Sequence, residues 1–462
     1  MKLSYLKSHP IFTPLIISIT ILFVCSSLRH ILFQSTAWDL AVFDQTVYLI
    51  SQGENPISSF FNAHILGDHA AFIFYPLALF YKVYPSVYWL LLVQAFALSI
   101  SIVPLWFLAK QAGLKDNLTL TIVVIYLLYP LIFNVNLFDF HAEVIALPTI
   151  FWAVLAARSK HFSQFICAII LILSCKAVLS LTVAAMGVWL LFFEKRKNYG
   201  FFALVLGVFW FIITTQYIIP QFSEDGVAAV GRYSFLGDSV TEIITNLVLQ
   251  PNIILSRLFT LANLEYLILL FIPVIWGLSP RYLTALVPTI PTLTLNLLTD
   301  YQPQKDLLHQ YSVPIVPFLL LSAIAALAAN KSLIRQPKYI ITWSLICFLA
   351  LAKYGHFTSR YLESLDTWKA TNEAITQIST KGSVLTSTYI APHISQRAMI
   401  KLAQNGAESF DINQFDYILL NQRHPGRESS PELIETIKER VRQNGNFDLT
   451  YTKDDVYLFR QK

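Results

Sequence analysis

Charged residues are scarce in this chain. Asp, Glu, Lys and Arg make up 13% of 462 residues, where a soluble domain carries about 25%, so most of the length is excluded from being ordinary water-soluble protein. Cysteine is rare too, and Cys25, Cys167, Cys175 and Cys347 all fall inside apolar runs. That placement excludes a disulfide framework and a CxxC metal site. No basic stripe interleaved with aromatics is present, so the formal charge of +5 is not the footprint of a nucleic-acid binder. Lys and Arg instead flank hydrophobic segments, as they do where membrane orientation is being set. No small-residue cleavage pattern follows the apolar stretch within residues 1–28, which therefore reads as an uncleaved first span rather than a signal peptide.

What is abundant is apolar: 55% of residues are hydrophobic and 14% aromatic, with a mean hydropathy of +0.56. A membrane span needs about 20 mostly apolar residues. Segments near that length are 10–28, 87–109, 118–138, 142–157, 163–175, 177–193, 199–219, 264–280, 282–298, 311–329 and 338–356. The fold class expected is a polytopic all-α membrane protein of about eleven spans, with a transmembrane domain over 1–356. Residues 71–84 are apolar but short, contain Pro76, and are assigned to the membrane interface. With that segment excluded, Lys2, Lys7, Lys110, Lys115, Arg158, Lys160, Lys195, Arg196, Lys197, Arg281, Lys331, Arg335 and Lys338 all fall on one side. Only Arg29, Lys82, Arg232, Arg257 and Lys305 fall in the short loops of the other. The positive-inside rule makes the first side cytoplasmic. The expected location is the bacterial plasma membrane, multi-pass, with the N-terminus cytoplasmic.

The tail, 357–462, has ordinary charge density. SVLTSTYI, DYILL and FDLTYTKDDVYLF read as strands, and Pro431–Gln443 as a helix with proline in its first turn. A small soluble extracytoplasmic α/β domain is expected there.

Ionisable chemistry collects on the outer side. The first outer loop, 29–86, contains WDLAVFDQTVYLISQG, an amphipathic helical pattern with Asp39 near its start. A carboxylate there suits a general base over the membrane surface, or a residue favoured by the helix dipole. Asp44, five residues on, does not share a helix face with it and is a separate candidate. HILGDH places His64 and Asp68 at i, i+4 with His69 adjacent, a trio able to take a divalent metal ion or to hydrogen-bond a substrate. FDFHAE puts Asp139, His141 and Glu143 at membrane depth or its edge, where ionisable groups are costly unless they line a wet cavity. If that turn is helical, Asp139 and Glu143 share a face; a solvated turn with a helix cap is the plainer alternative. Lys176 is an isolated charge among apolar residues. Arg232 and Tyr233 in GRYSFLG, with Lys305, His309 and Tyr311 in DYQPQKDLLHQY, stand at outer mouths where cations suit a phosphate.

The runs WDLAVFDQ, GDH, FDFHAE, HQYSVPIVPF and TSTYIAPHISQR resemble, over nearly the whole chain, a bacterial family of predicted membrane proteins classed as a domain of unknown function. That family in turn looks like a distant member of the GT-C glycosyltransferases. The resemblance implies a GT-C-like fold with interfacial helices in the first outer loop. It also implies transfer of a sugar from a polyprenyl-phosphate donor to a glycan, lipid or protein acceptor on the outer side. An acidic residue early in that loop does the work in such enzymes, and by position it is Asp39, with Asp44 as alternate. Lys176, Arg232 and Lys305 become candidates for the donor phosphate. In the resembling family an acid usually follows the intramembrane lysine, whereas here Ala177 does, so if that acid is required this chain carries an altered site. A transporter or flippase of lipid-linked glycans, and a non-catalytic membrane scaffold, are the competing functions. No internal repeat of the kind many transporters show is evident.

Overall fold

A computed structural model describes residues 10–224 and 226–462; Lys2 and Lys7 of the charge reading lie outside them. The chain is mostly helical and divides into two compact units. The first comprises Met1–Phe23, Leu66–Ile73 and Leu92–Lys353, the second Val24–Ile65, Phe74–Leu91 and Tyr354–Lys462.

Among the described residues five helices are long and apolar enough to cross a membrane: Phe12–Ile31, Tyr88–Gln111, Asp116–Leu137, Lys197–Phe222 and Gln302–Ala328. The number rises to seven if Pro251–Leu258 with Leu261–Gly277, bent by 63°, and Pro337–Leu351 with Lys353–Leu362, bent by 45°, each form one span. Several other segments marked as spans in the sequence are shorter or irregular here, and prolines explain part of this. Over 282–298 the chain runs as a 3₁₀ stretch, Pro280–Thr289, before the nine-residue helix Ile290–Leu298. Pro288 and Pro291 each remove a backbone donor from the α-helical ladder. Phe162–Cys175 and Leu179–Phe192 are 14 residues each, about 21 Å of helix against about 30 Å of hydrocarbon. The segment placed at the interface is a ten-residue helix, Phe74–Val83. It buries Phe74, Leu77, Ala78 and Tyr81 and exposes Leu79, Phe80 and Val83.

In the first unit Leu179–Phe192 packs on Lys197–Ile213 through glycine. A Cβ added at Gly207 would meet the Ala184 backbone nitrogen at 2.6 Å and the Ser180 carbonyl at 2.7 Å, and one at Gly200 would meet the Gly187 carbonyl at 2.7 Å. Small residues let two backbones approach this closely, the usual packing device of membrane helices.

In the second unit a hairpin, β1 (Ile57–Ser58) with β2 (Ala63–His64), belongs to the first loop. The tail forms a five-stranded mixed sheet from β3 (Val384–Thr386), β4 (Ile400–Leu402), β5 (Tyr417–Asn421), β6 (Phe447–Lys453) and β7 (Val456–Gln461), in the order β4-β3-β5-β7-β6. The β4-β3-β5 pairings are parallel and the rest antiparallel. FDLTYTKDDVYLF is two strands rather than one, because Asp454 and Asp455 both take positive φ, the backbone of a type I′ hairpin turn. The expected helix runs Pro431–Asn444, capped by the Ser430 hydroxyl accepting from Leu433 N–H at 3.2 Å and closed by Gly445 at φ 74°. It buries Ile434, Ile437 and Val441 against Leu385, Ile418 and Phe459 of the sheet.

Candidate functional site

In the first unit the polar residues gather where a helix is interrupted. Phe162–Cys175 ends at Lys176, which is fully extended at φ −165°, ψ 141°, and helix resumes at Leu179. The break frees backbone groups that cannot be left bare in an apolar setting, and residues 69–73 and Trp210 satisfy several of them. Ile73 N–H donates to the Ser174 carbonyl and Ala177 N–H to the His69 carbonyl, both at 3.0 Å, while Trp210 Nε1 donates to the Leu173 carbonyl at 3.1 Å. His69 is thereby fixed beside Lys176 by main-chain bonds.

Lys176 Nζ donates to Glu143 Oε1 at 2.5 Å, with side-chain exposures of 15% and 7%. Such a pair is sustained only where other polar groups complete its surroundings, and here they do: the Glu143 carboxylate also feels His141 and His69. Asp68 contacts His69 Nδ1. Burial pushes the Asp68 carboxyl upward, but His69, Lys176 and Arg232 outweigh it and hold it below its ordinary value. Arg232 lies over the Tyr301 and Tyr311 rings at 4.4 and 5.3 Å, and Lys176 Nζ approaches the Tyr311 ring at 6.0 Å. Two cations therefore flank one tyrosine. Arg232 donates to Gln304 Oε1 at 2.9 Å and forms no ion pair with a carboxylate among the described residues. Gln304 continues inward to Tyr233 (3.2 Å) and Asn296 (3.3 Å), and Asn296 to Tyr266 (2.9 Å), so a buried polar chain fixes the guanidinium from behind.

The FDFHAE turn is pinned by a residue that the sequence reading passed over. Gln94, fully buried, donates to the carbonyls of Val135, Asn136 and Asp139 at 3.2, 3.3 and 2.5 Å and accepts from His141 N–H at 2.9 Å. Its only sequence signal is an amide inside YWLLLVQAFALSI. Asp139 has φ +75°, so the turn is not helical, and the face shared with Glu143 that a helix would give does not arise. Phe138 stands between His141 (5.3 Å, stacked) and His309 (4.1 Å, edge-on), and His309 Nδ1 bonds Asp306 at 2.7 Å. Lys305 has Asp300 and Arg257 as its charged neighbours, not Lys176. Ala177 packs with Ala70 and Ile219, so the position that carries an acid in the resembling family is apolar here.

In the second unit Asp39 lies in a one-turn π-helix, Ala37–Ala41, half-buried between buried Ala37 and Leu40. π-turns of this kind are frequent at functional sites. Asp44 is a different environment: 1% exposed, it accepts from Tyr81 hydroxyl (2.6 Å), Ser395 hydroxyl (2.6 Å) and Gln396 amide (3.2 Å). Burial raises its pKa, partly offset by those donors and by Lys381. Gln45 next to it accepts from Ser59 N–H at 3.0 Å and donates to the Arg397 carbonyl at 3.0 Å, and Ser59 both donates to and accepts from Ile400 of β4. The WDLAVFDQ and HISQR motifs thus form one hydrogen-bonded junction, a role invisible in either alone.

The trio His64, Asp68 and His69 does not form a metal site. Among the described residues no group of three His, Cys, Asp or Glu side chains is placed to hold a metal ion; His64 belongs to β2, and Asp68 and His69 contact each other.

Two solved structures share this architecture. ArnT from Cupriavidus metallidurans bound to undecaprenyl phosphate aligns over 96% of both chains at 10% identity with a TM-score of 0.55. The same protein in its apo state aligns over 96% of both at 10% identity and a TM-score of 0.54. At that identity the likeness is one of fold, and it agrees with the expected GT-C-like architecture. No curated protein matches the sequence. Residues 29–458 match the family of predicted membrane proteins DUF2079, and the chain belongs to that family.

Proposed function

We propose that this chain is a glycosyltransferase of the bacterial plasma membrane that moves a sugar from a polyprenyl-phosphate donor to an acceptor at the extracytoplasmic face. The observation that carries this reading is the cation pair Lys176 and Arg232 around Tyr311, in a fold like that of a protein crystallised with undecaprenyl phosphate. In this scheme Asp39 accepts the proton of the acceptor hydroxyl as its oxygen attacks the anomeric carbon. The sugar–phosphate C–O bond breaks, and the departing polyprenyl phosphate gains negative charge that Lys176 and Arg232 stabilise. Tyr233 and Gln304 position Arg232; Glu143, His69, His141 and Asp139 shape the polar wall; Tyr311, His309 and Lys305 line the approach. Asp44, its carboxylate already engaged by three donors, suits a structural anchor better than the base. The eleven-span topology, with N-terminus inside and both the 29–86 loop and the 357–462 domain outside, belongs to this proposal.

A second reading, a flippase of lipid-linked glycans, draws on the interruption at Lys176, since transporters build sites from broken helices. One reconstitution separates the two. In membrane vesicles supplied with a labelled polyprenyl-phosphate sugar, Asp39→Asn is expected to lower sugar transfer by about 10²–10⁴-fold while donor binding persists. Full transfer in that variant would remove the base, and movement of the donor across the bilayer without any loss of its sugar would favour the flippase. Labelling of a cysteine at position 39 by a membrane-impermeant reagent added from the cytoplasmic side would end both.

A further inference from the structure

The second unit contains a polar pocket of about 290 Å³ whose lining includes Gln34, Ser364, Tyr389, Arg423, His424 and Gly426 together with Arg360, Arg427 and Glu363. None of these residues enters the transfer scheme above. Its parts are held in place. Gln34 Nε2 donates to Ser364 Oγ at 2.9 Å. Arg423 is clamped between Asp366 (2.8 Å) and Asp455 (2.7 Å), and His424 Nε2 bonds Asp366 at 2.7 Å. The 424–427 loop passes so close to Thr388 that a Cβ on Gly426, at φ +95°, would meet the Thr388 side chain at 2.8 Å.

The charge balance is uneven. Asp366 and Asp455 neutralise Arg423, but Arg360 and Arg427 have no carboxylate partner among the described residues, and both are exposed. With Arg423 neutralised, the lining carries two further guanidinium groups, Arg360 and Arg427, against the single carboxylate of Glu363. A guanidinium fork fits phosphate oxygens in pairs. Location supplies the second constraint. Gln34 follows the apolar helix Phe12–Ile31 by three residues, and Arg360 to Ser364 follow the last apolar helix, Pro337–Leu351, across the 45° bend. In the chain the pocket's residues thus follow shortly after apolar helices, as segments at head-group level do where such helices span a bilayer.

We propose that this pocket binds the phosphate of an anionic lipid head group at the membrane surface, with Arg360 and Arg427 as the phosphate ligands and Tyr389, His424 and Gln34 contacting whatever the phosphate bears. The inference does not depend on sugar transfer. The test uses the full chain in nanodiscs, with short-chain phosphatidylglycerol, short-chain phosphatidylcholine, glucose 6-phosphate and inorganic phosphate as probes, read by calorimetry and by native mass spectrometry. Phosphatidylglycerol is expected to bind, phosphatidylcholine to bind at least about tenfold more weakly, and the double variant Arg360→Gln, Arg427→Gln to lose about tenfold or more for phosphatidylglycerol while its thermal midpoint is unchanged. Arg427→Lys should restore part of the loss. Glucose 6-phosphate or inorganic phosphate binding as tightly as the lipid would assign the site to a soluble phosphate instead. Equal binding of both lipids, or an unaffected double variant, would overturn the proposal. Because Asp39→Asn leaves this pocket intact, loss of transfer with retained lipid binding, or the reverse, separates a failure of one reading from a failure of the other.

Discussion

Replacing Asp44 distinguishes an anchor from a base. Asp44→Ala strips the acceptor from the Tyr81 hydroxyl, the Ser395 hydroxyl and the Gln396 amide, and each buried donor left without a partner costs about 1–3 kcal/mol. Losing a desolvated carboxylate returns part of that, so the expected net is about 3–5 kcal/mol. At about 2–4 °C per kcal/mol, the thermal midpoint of the purified full chain should fall by roughly 10 °C. Asp44→Asn keeps the shape and one acceptor oxygen, and Ser395 can rotate to accept from the new amide, so its loss should be under about 1.5 kcal/mol. The two variants also differ in pH dependence. Burial raises the folded pKa of Asp44 above the unfolded carboxylate value, so its neutral form favours the native state. That contribution is full below the unfolded pKa of about 3.9 and is lost as pH rises through the folded value. Melts of the parent chain between pH 4 and 8 should therefore show a downward component with rising pH that Asp44→Asn removes. An Asp44→Ala protein with an unchanged midpoint and no transfer activity would refute the anchor reading and return Asp44 to the list of bases.

Gln94→Leu removes the amide that binds the Asp139 carbonyl and the His141 N–H, which should cost about 1–3 kcal/mol and weaken donor binding through displacement of Glu143; a fully active, equally stable variant counts against this role of Gln94. Gly207→Val should destabilise by about 1–3 kcal/mol or more, since its side chain would overlap the Ala184 and Ser180 backbone; detergent stability equal to the parent would show that the two helices can part at no cost.

The membrane character, the strands and helix of the tail, and isolated charges such as Lys176 are legible in the sequence because they depend on local quantities: hydropathy over a helix length, period-2 alternation, and charge in apolar surroundings. The helix from Pro431 is read correctly for that reason. Tertiary structure decides which charges meet. Lys176 pairs with Glu143, 33 residues away, only because the helix breaks at residue 176 and the 69–73 segment takes up the freed backbone groups. Lys305, equally cationic in sequence, instead has Asp300 and Arg257 for neighbours, and two of the three donors that hold Asp44, Ser395 and Gln396, lie some 350 residues on. Span length, too, depends on where prolines fall within a packed bundle, which hydropathy averages away. A charge's role is set by what neutralises it, and in this chain those partners are mostly distant in sequence.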